Sequence, residues 1–373
     1  MRKIFVLLTT LALVLGSFAS VTAQDRWDGR DDLATNPLPC MGSDEVAAAP
    51  ETLPYDGGQP VDAPDLAGQE ITLIDIPKLI GIGYFNATTL GMQQAAEELG
   101  NVNVSTDGPT AGDIDKQIEF IDTYITQGVD GVLFAANDPV AIAPVLTKAL
   151  EAGIHVVGYD ADSVPEAREW FVNQAEFNAI AKAMVDSMVE EQGEDAKVGI
   201  VTSTFTTPNQ ARWIAEMNDY ATKCYPNLQW LETLEAQEDT PLSFSQAQTL
   251  LNKYGDGIDG IWGMTSIATP AAADAVTQAG LCGDVSVVGL STPNLMKPFV
   301  NDGCVQSVVL WNPVDLGYAA VYVMRAVIDG TFQPGDTSVM AGRLGELPVV
   351  NGSQVLLGPA FIYNADNIND FDF

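Results

Sequence analysis

From Ile71 onward the chain alternates short apolar runs of strand length with segments of helical pattern, and this alternation limits the folds open to it. Strand-like runs fall at 71–76, 102–106, 131–136, 154–159, 197–202, 228–235, 260–263, 285–290 and 305–310. Helical segments fall between or after them, at 88–99, 114–127, 142–152, 177–192, 210–223, 244–253, 270–279, 295–301 and 314–328. A strand that leads through a helix to the next strand requires a parallel crossover, so the pattern predicts an α/β fold with parallel sheets. The stretch from Val129 to Asp162 shows the unit best. GVLFAA ends in Asn137-Asp138-Pro139, a helical segment closed by Gly153 follows, and IHVVGY ends in Asp160-Ala161-Asp162. A chain of 373 residues, 47% of them apolar, is more than one core usually holds. Two Rossmann-like lobes are therefore expected, one from 71–161 plus about 292–312, the other from 162–291 plus about 313–373.

The first residues predict export. Met1-Arg2-Lys3 is a short basic start, residues 4–16 form an apolar core too short to span a bilayer, and Val21-Thr22-Ala23 fits a small-residue cleavage site. A signal peptide over 1–23 would place the mature protein in the periplasm or outside the cell. No Cys follows the expected cut, so a lipid anchor there is not expected. No later apolar run nears the roughly 18 residues of a membrane helix, which argues against direct membrane insertion. Residues 24–70 hold Pro37, Pro39, Pro50, Pro54, Pro60 and Pro64 without helical or strand periodicity, and read as an irregular arm. With 16 basic against 50 acidic residues, the net charge of −34 repels nucleic acid and anionic lipid.

Four cysteines in an exported chain allow two disulfides in three connectivities. Cys282 just precedes one strand-like run and Cys304 opens another, which favours their pairing and leaves Cys40 with Cys224. No two have the close spacing of a zinc or redox motif, and no metal or cofactor is expected.

In open parallel sheets ligands bind beyond the carboxyl ends of the strands. The residues gathered there are Lys78, Asn137, Asp138, Asp160, Asp162, Asn209, Gln210, Thr265, Ser266, Trp311 and Asn312, with Tyr84 and Phe85 nearby. Carboxylates and amides beside aromatic faces suit a polyhydroxylated ligand, the polar groups taking hydroxyls and the rings covering C–H faces. Each residue has a structural alternative: Asn or Asp after a strand commonly caps a helix or shapes a turn, and Trp is commonly core. Their coincidence on the same edges points to a cleft. Catalysis has little support. His155, the sole histidine, sits in an apolar run and reads as structural. Asp160 and Asp162 could form an acid/base pair, but no second motif backs it. Gly81-Ile82-Gly83 lacks the third glycine of a dinucleotide fingerprint, Asn86 standing there, and reads as a close approach to ligand or to the opposite lobe.

The segments IPKLIGIGYF (76–85), DGPT (107–110), KQIEFIDTYITQGVDG (116–131), ANDP (136–139), FVNQ (171–174), PNQARW (208–213), TPAAADA (269–275), GLSTPNLMKP (289–298), LWNPVDLGY (310–318) and DNINDFDF (366–373) carry a resemblance. From Ile71 to Phe373 the chain resembles type I periplasmic binding proteins of the ribose-binding-like group, and within it the rhamnose-binding and autoinducer-2-binding branch. The resemblance implies a monomeric, non-catalytic solute-binding protein that delivers a sugar or autoinducer-2 to a membrane ABC permease, or else a sensory receptor subunit. It also implies that Lys78 is the ligand lysine and Asp160 the principal ligand carboxylate. Asn209-Gln210 stands where the autoinducer branch has Asp-Gln, and Trp311-Asn312 where it has Trp-Asp. Met264-Thr265-Ser266-Ile267 replaces that branch's Pro-Asp-Ala-Asn. ANDP, PNQ and LWNPVDLGY are closer to the rhamnose type, so a rhamnose-type sugar is the first expectation and autoinducer-2 the second.

Overall fold

The computed structural model describes residues 40–41, 55–58 and 63–373; the expected signal peptide and most of the expected arm lie outside them. The first lobe is built on parallel strands β1 (Ile71–Ile76), β2 (Val102–Thr106), β3 (Gly131–Phe134), β4 (His155–Tyr159) and β5 (Trp170–Asn173). They lie in the order β5-β4-β3-β1-β2, linked by α1 (Gly83–Leu99), α2 (Ile114–Gln127) and α3 (Ala143–Glu151). Successive strand residues point to opposite faces, and here both faces are apolar because both are covered. Leu73, Leu133 and Val157 join the cluster that includes Met92 of α1, whereas Ile74, Val132 and Val156 join Ile121 of α2 and Leu146 of α3. That double burial explains why the strands read as continuous apolar runs.

The second lobe repeats the plan with β6 (Lys197–Thr202), β7 (Gln229–Glu235), β8 (Gly260–Gly263), β9 (Ser286–Leu290) and β10 (Val308–Leu310), in the order β10-β9-β8-β6-β7. Its helices are α4 (Phe177–Gln192), α5 (Pro208–Cys224), α6 (Thr240–Tyr254), α7 (Ala268–Ala279) and α8 (Pro293–Asn301). The chain then returns. Helix α9 (Pro313–Ile328) packs on α1, and β11 (Ser338–Met340), β12 (Glu346–Val350) and β13 (Gln354–Leu356) extend the first sheet through the β13–β5 pair. Finally β14 (Phe361–Tyr363) pairs antiparallel with β10 in the second sheet.

The two-lobed α/β architecture matches the sequence expectation, but the lobe boundaries do not. β5 lies in the first sheet, although 162 was expected to open the second lobe. Residues 292–310 carry α8 and β10 of the second lobe, and 313–356 belong to the first. The chain crosses between lobes three times, after β5, after β10 and after β13. Two short features misled the reading. β5 is a strand of only four residues, and β11 to β13 join the first sheet only through β13, whose partner β5 is separated from it in sequence by the whole second lobe.

Helices α1 and α9 approach closely because each offers a glycine. A Cβ at Gly91 would fall 1.8 Å from the Val314 carbonyl oxygen, and one at Gly317 would fall 2.0 Å from that of Thr88. Alanine is better than glycine in a helix by about 1 kcal/mol. Overlap with backbone outweighs that gain, since neither helix can yield without disturbing the core. Gly91→Ala is expected to destabilise the protein by about 2 kcal/mol net, measured by urea unfolding; an unchanged or raised midpoint would contradict the close packing.

The disulfides Cys40–Cys224 and Cys282–Cys304 pair as expected. The first fixes the arm to α5 of the second lobe. Tyr55, by contrast, donates its hydroxyl to the Glu169 carbonyl at 2.7 Å, and Gly58 N donates to Pro165 O at 2.8 Å, both on the first lobe. The arm thus touches both lobes.

Candidate functional site

Between the lobes lies a cleft lined by Lys78, Ile82, Tyr84, Phe85, Asp160, Asn209, Gln210, Trp213, Glu238, Met264, Thr265, Ser266, Leu290, Leu310 and Trp311.

The first-lobe wall centres on an ion pair. Lys78 follows β1 through Pro77, and its turn is held from beneath by Gln117, whose Nε2 donates to the carbonyls of Pro77 at 3.0 Å and Ala135 at 2.8 Å. The Lys78 ammonium lies 3.0 Å from Asp160 Oδ2, both side chains buried. Asp160 follows β4 in the left-handed region at φ 60°. L-residues avoid this conformation, Asp and Asn least. Tyr84 O–H donates to Asp160 Oδ1 at 2.9 Å and accepts from Trp311 Nε1 at 2.9 Å. Burial, then the Asp160 charge, pushes the Tyr84 hydroxyl well above its usual range, so it stays a neutral donor. Below this wall, Asp75 of β1 accepts from Tyr159 Oη at 2.9 Å and Thr106 Oγ1 at 3.0 Å. Burial raises the Asp75 carboxyl to about 7 despite those two hydrogen bonds.

The second-lobe wall is amide, hydroxyl and ring. Asn209, on the first turn of α5, donates Nδ2 to the Asp160 carbonyl at 3.3 Å and to Asp160 Oδ1 at 3.4 Å, bridging the lobes. Gln210 Oε1 accepts from Thr202 Oγ1 at 2.7 Å and Ser203 N at 2.8 Å, which turns its Nε2 toward Glu238 Oε1 at 3.2 Å. Thr265 Oγ1 accepts from Ala268 N at 2.9 Å, at the start of α7. The Trp213 and Trp311 rings stand 5.7 Å apart, with Tyr84 edge-on to Trp311 at 6.0 Å. At the rim the lobes also meet. A Cβ on Gly112 would lie 3.7 Å from the Gln237 carbonyl oxygen, and one on Gly83 would lie 3.8 Å from Thr292 Oγ1. These are ordinary contact distances, so the meeting of the lobes does not require glycine at 83.

Of the residues expected at the site, Lys78, Tyr84, Phe85, Asp160, Asn209, Gln210, Thr265, Ser266 and Trp311 are brought together. Four are not. Asn137 Nδ2 donates to the Lys78 carbonyl at 2.8 Å and so supports the lysine from behind. Asp138 Oδ1 accepts from Val140 N and Ala141 N in a turn. Asp162 holds Arg168 in a two-point ion pair at 2.9 and 2.7 Å. Asn312 caps α9, its Oδ1 accepting from Val314 N at 2.9 Å and Asp315 N at 3.3 Å. Local backbone and ionic partners took these side chains, the alternative that each residue type carried. His155 lies outside the cleft lining, buried and 3.1 Å from Glu169 Oε2. Ile82, Trp213, Glu238, Met264, Leu290 and Leu310 were not anticipated. Met264, Leu290 and Leu310 end strands or follow them by one residue, so the strand-end rule reaches them once apolar residues are admitted.

Residues 76–331 match the family described as the periplasmic binding protein domain. The D-ribose/D-allose-binding protein of Pseudomonas aeruginosa is 28% identical over 197 residues, covering 51% of this chain and 60% of that protein. The aligned part is thus less than two thirds of that relative's length. Among solved structures, a sugar ABC transporter protein from Actinomyces odontolyticus is 32% identical, covers 83% of this chain and all of its own, and superposes with a TM-score of 0.67. An ABC transporter solute-binding protein from Clostridium phytofermentas with bound L-rhamnose is 28% identical over 81% of this chain and 98% of its own, TM-score 0.77. LsrB from Clostridium saccharobutylicum in complex with AI-2 is 25% identical over 81% of this chain and 100% of its own, TM-score 0.76.

Proposed function

This chain belongs to the periplasmic binding protein family, with the type I architecture, and we propose that it captures a sugar or sugar-like polyol and delivers it to an ABC importer. The observation that carries this reading is the Lys78–Asp160 pair set in a ring-lined cleft between two lobes. A paired ammonium and carboxylate offer donors and an acceptor to vicinal hydroxyls, while each offsets the other's desolvation. Contacts to both walls at once would favour the closed arrangement, in which Asp160 meets Asn209. The two disulfides fit an oxidising compartment outside the cytoplasmic membrane. Binding proceeds without catalysis, and candidate sugars incubated with the protein should be recovered intact.

A rhamnose-type sugar is the first choice and autoinducer-2 the second, and Asn209 separates them. Its amide donates to Asp160; a carboxylate there would only accept, and would face Asp160 unless the ligand supplied hydroxyl donors to both. Asn209→Asp is expected to weaken L-rhamnose binding by about 1 to 3 kcal/mol and to strengthen autoinducer-2 binding. Asn312 plays no part in this discrimination, because it is committed to the α9 cap. The deciding measurement is the mass of the small molecule released from purified protein on denaturation, with calorimetry of L-rhamnose, D-ribose and autoinducer-2. Release of a deoxyhexose supports the first choice, whereas tighter binding of autoinducer-2 than of any sugar reverses the order.

A further inference from the structure

Glu238 is a charged residue of the cleft wall that neither an ion pair nor a helix cap explains. It lies on the second lobe beyond the end of β7, and the charged residues that share the cleft with it are Lys78 and Asp160. Lys78 is already matched by Asp160 at 3.0 Å. No ion pair among the described residues includes Glu238, whose Oε1 accepts from the neutral Gln210 amide. The wall therefore carries one carboxyl in excess. The backbone holds it there at a cost: Gln237 and Glu238 are successive non-glycine residues in the left-handed region, φ 52° and 54°. Such strain persists only where the surroundings impose it, and it gathers at functional sites. Here Ala236 N bonds Thr202 O at 2.8 Å, Gln237 N bonds Ser203 O at 2.9 Å, and Asp239 caps α6 through Leu242 N at 2.7 Å. Glu238 is thus fixed between two anchored neighbours while its own side chain turns to the cleft.

We propose that Glu238 is a specificity-determining residue that admits ligands presenting hydroxyl or ammonium donors to the second lobe and excludes sugars bearing a carboxylate. This rests on the sugar-binding reading above. A carboxylate accepts hydrogen bonds and cannot donate, so an acidic sugar would set like charge against it in a closing cleft, where water screens poorly. Burial raises the Glu238 carboxyl first of all, Lys78 opposing and Asp160 adding to the rise. Protonation would remove the repulsion and supply a donor, so the exclusion should weaken in acid.

The test is calorimetry of the full chain with the matched neutral and acidic sugars D-fucose and D-galacturonate, and with L-rhamnose. At pH 7.5 the expected result is binding of a neutral sugar with D-galacturonate at least about 100-fold weaker. E238Q should narrow that gap about tenfold or more while binding the neutral sugar within about tenfold of the parent. Lowering the parent protein to pH 5 should narrow it too, a readout that does not depend on how the variant folds. A gap unchanged both in E238Q and at pH 5 overturns the role of Glu238 and leaves the sugar reading standing, as does D-galacturonate binding as tightly as the neutral sugar. Binding of no sugar, neutral or acidic, overturns the sugar reading and this inference with it.

Discussion

Replacing Asp160 with Ala is expected to weaken ligand binding by about 2 to 4 kcal/mol, the loss of charged hydrogen bonds at roughly 1.5 to 3 kcal/mol each, with partial relaxation. The side chain is buried, receives Tyr84 Oη and Asn209 Nδ2, and balances Lys78. Removing it strands the ammonium of Lys78 in a closing cleft, where an unpaired charge is costly. Asp160→Asn divides the effect. Asn tolerates the left-handed backbone at φ 60° and keeps the side-chain shape, so loss of affinity in that variant reports the charge, whereas any further loss in the Ala variant reports geometry. Calorimetry with the co-purified ligand makes the measurement, and circular dichroism checks the fold. Full affinity in a folded Ala variant would remove Asp160 from the site.

Stability is expected to fall as pH rises from 5 to 8, and Asp75 supplies a separable part of that fall. Its carboxyl is raised to about 7 by burial, against about 4 in an unfolded chain. Between these values the folded protein keeps a proton that the unfolded chain has lost. Raising the pH then favours the state with fewer protons, the unfolded one. The effect is fully in the protein's favour near pH 4 and gone above 7; from pH 5 to 8 it amounts to about 3 kcal/mol. Asp75→Asn cannot titrate and shares every other acidic group, so it carries the same background. Urea unfolding of both proteins at pH 5, 6, 7 and 8 should give curves that diverge by that amount. Parallel curves would mean that Asp75 is ionised in the folded state throughout.

Much of the site was legible because doubly covered parallel strands announce themselves as apolar runs, and the residue after each run is placed by topology. Lys78, Asp160, Asn209, Gln210 and Trp311 were found in that way. The same rule over-reached at Asp138, Asp162 and Asn312, since a short polar side chain after a strand can equally close a turn, hold an arginine or cap a helix. Only the position of Arg168 distinguishes Asp162 from Asp160, and that position depends on β5, which the sequence did not announce. Glu238 lies three residues past β7, on a loop whose left-handed backbone has no glycine to mark it. Trp213 faces the cleft from the second turn of α5, where an aromatic residue reads as core.

The three crossings between lobes also govern the order in which this chain can fold. β13 completes the first sheet by pairing with β5, from which the whole second lobe separates it along the chain, and β14 then returns to close the edge of the second. Neither lobe is a contiguous stretch, so a growing chain can finish neither until its last segments arrive. Contacts between distant segments make folding slow. The topology that builds the cleft therefore also leaves each lobe incomplete until the end of the chain has joined it.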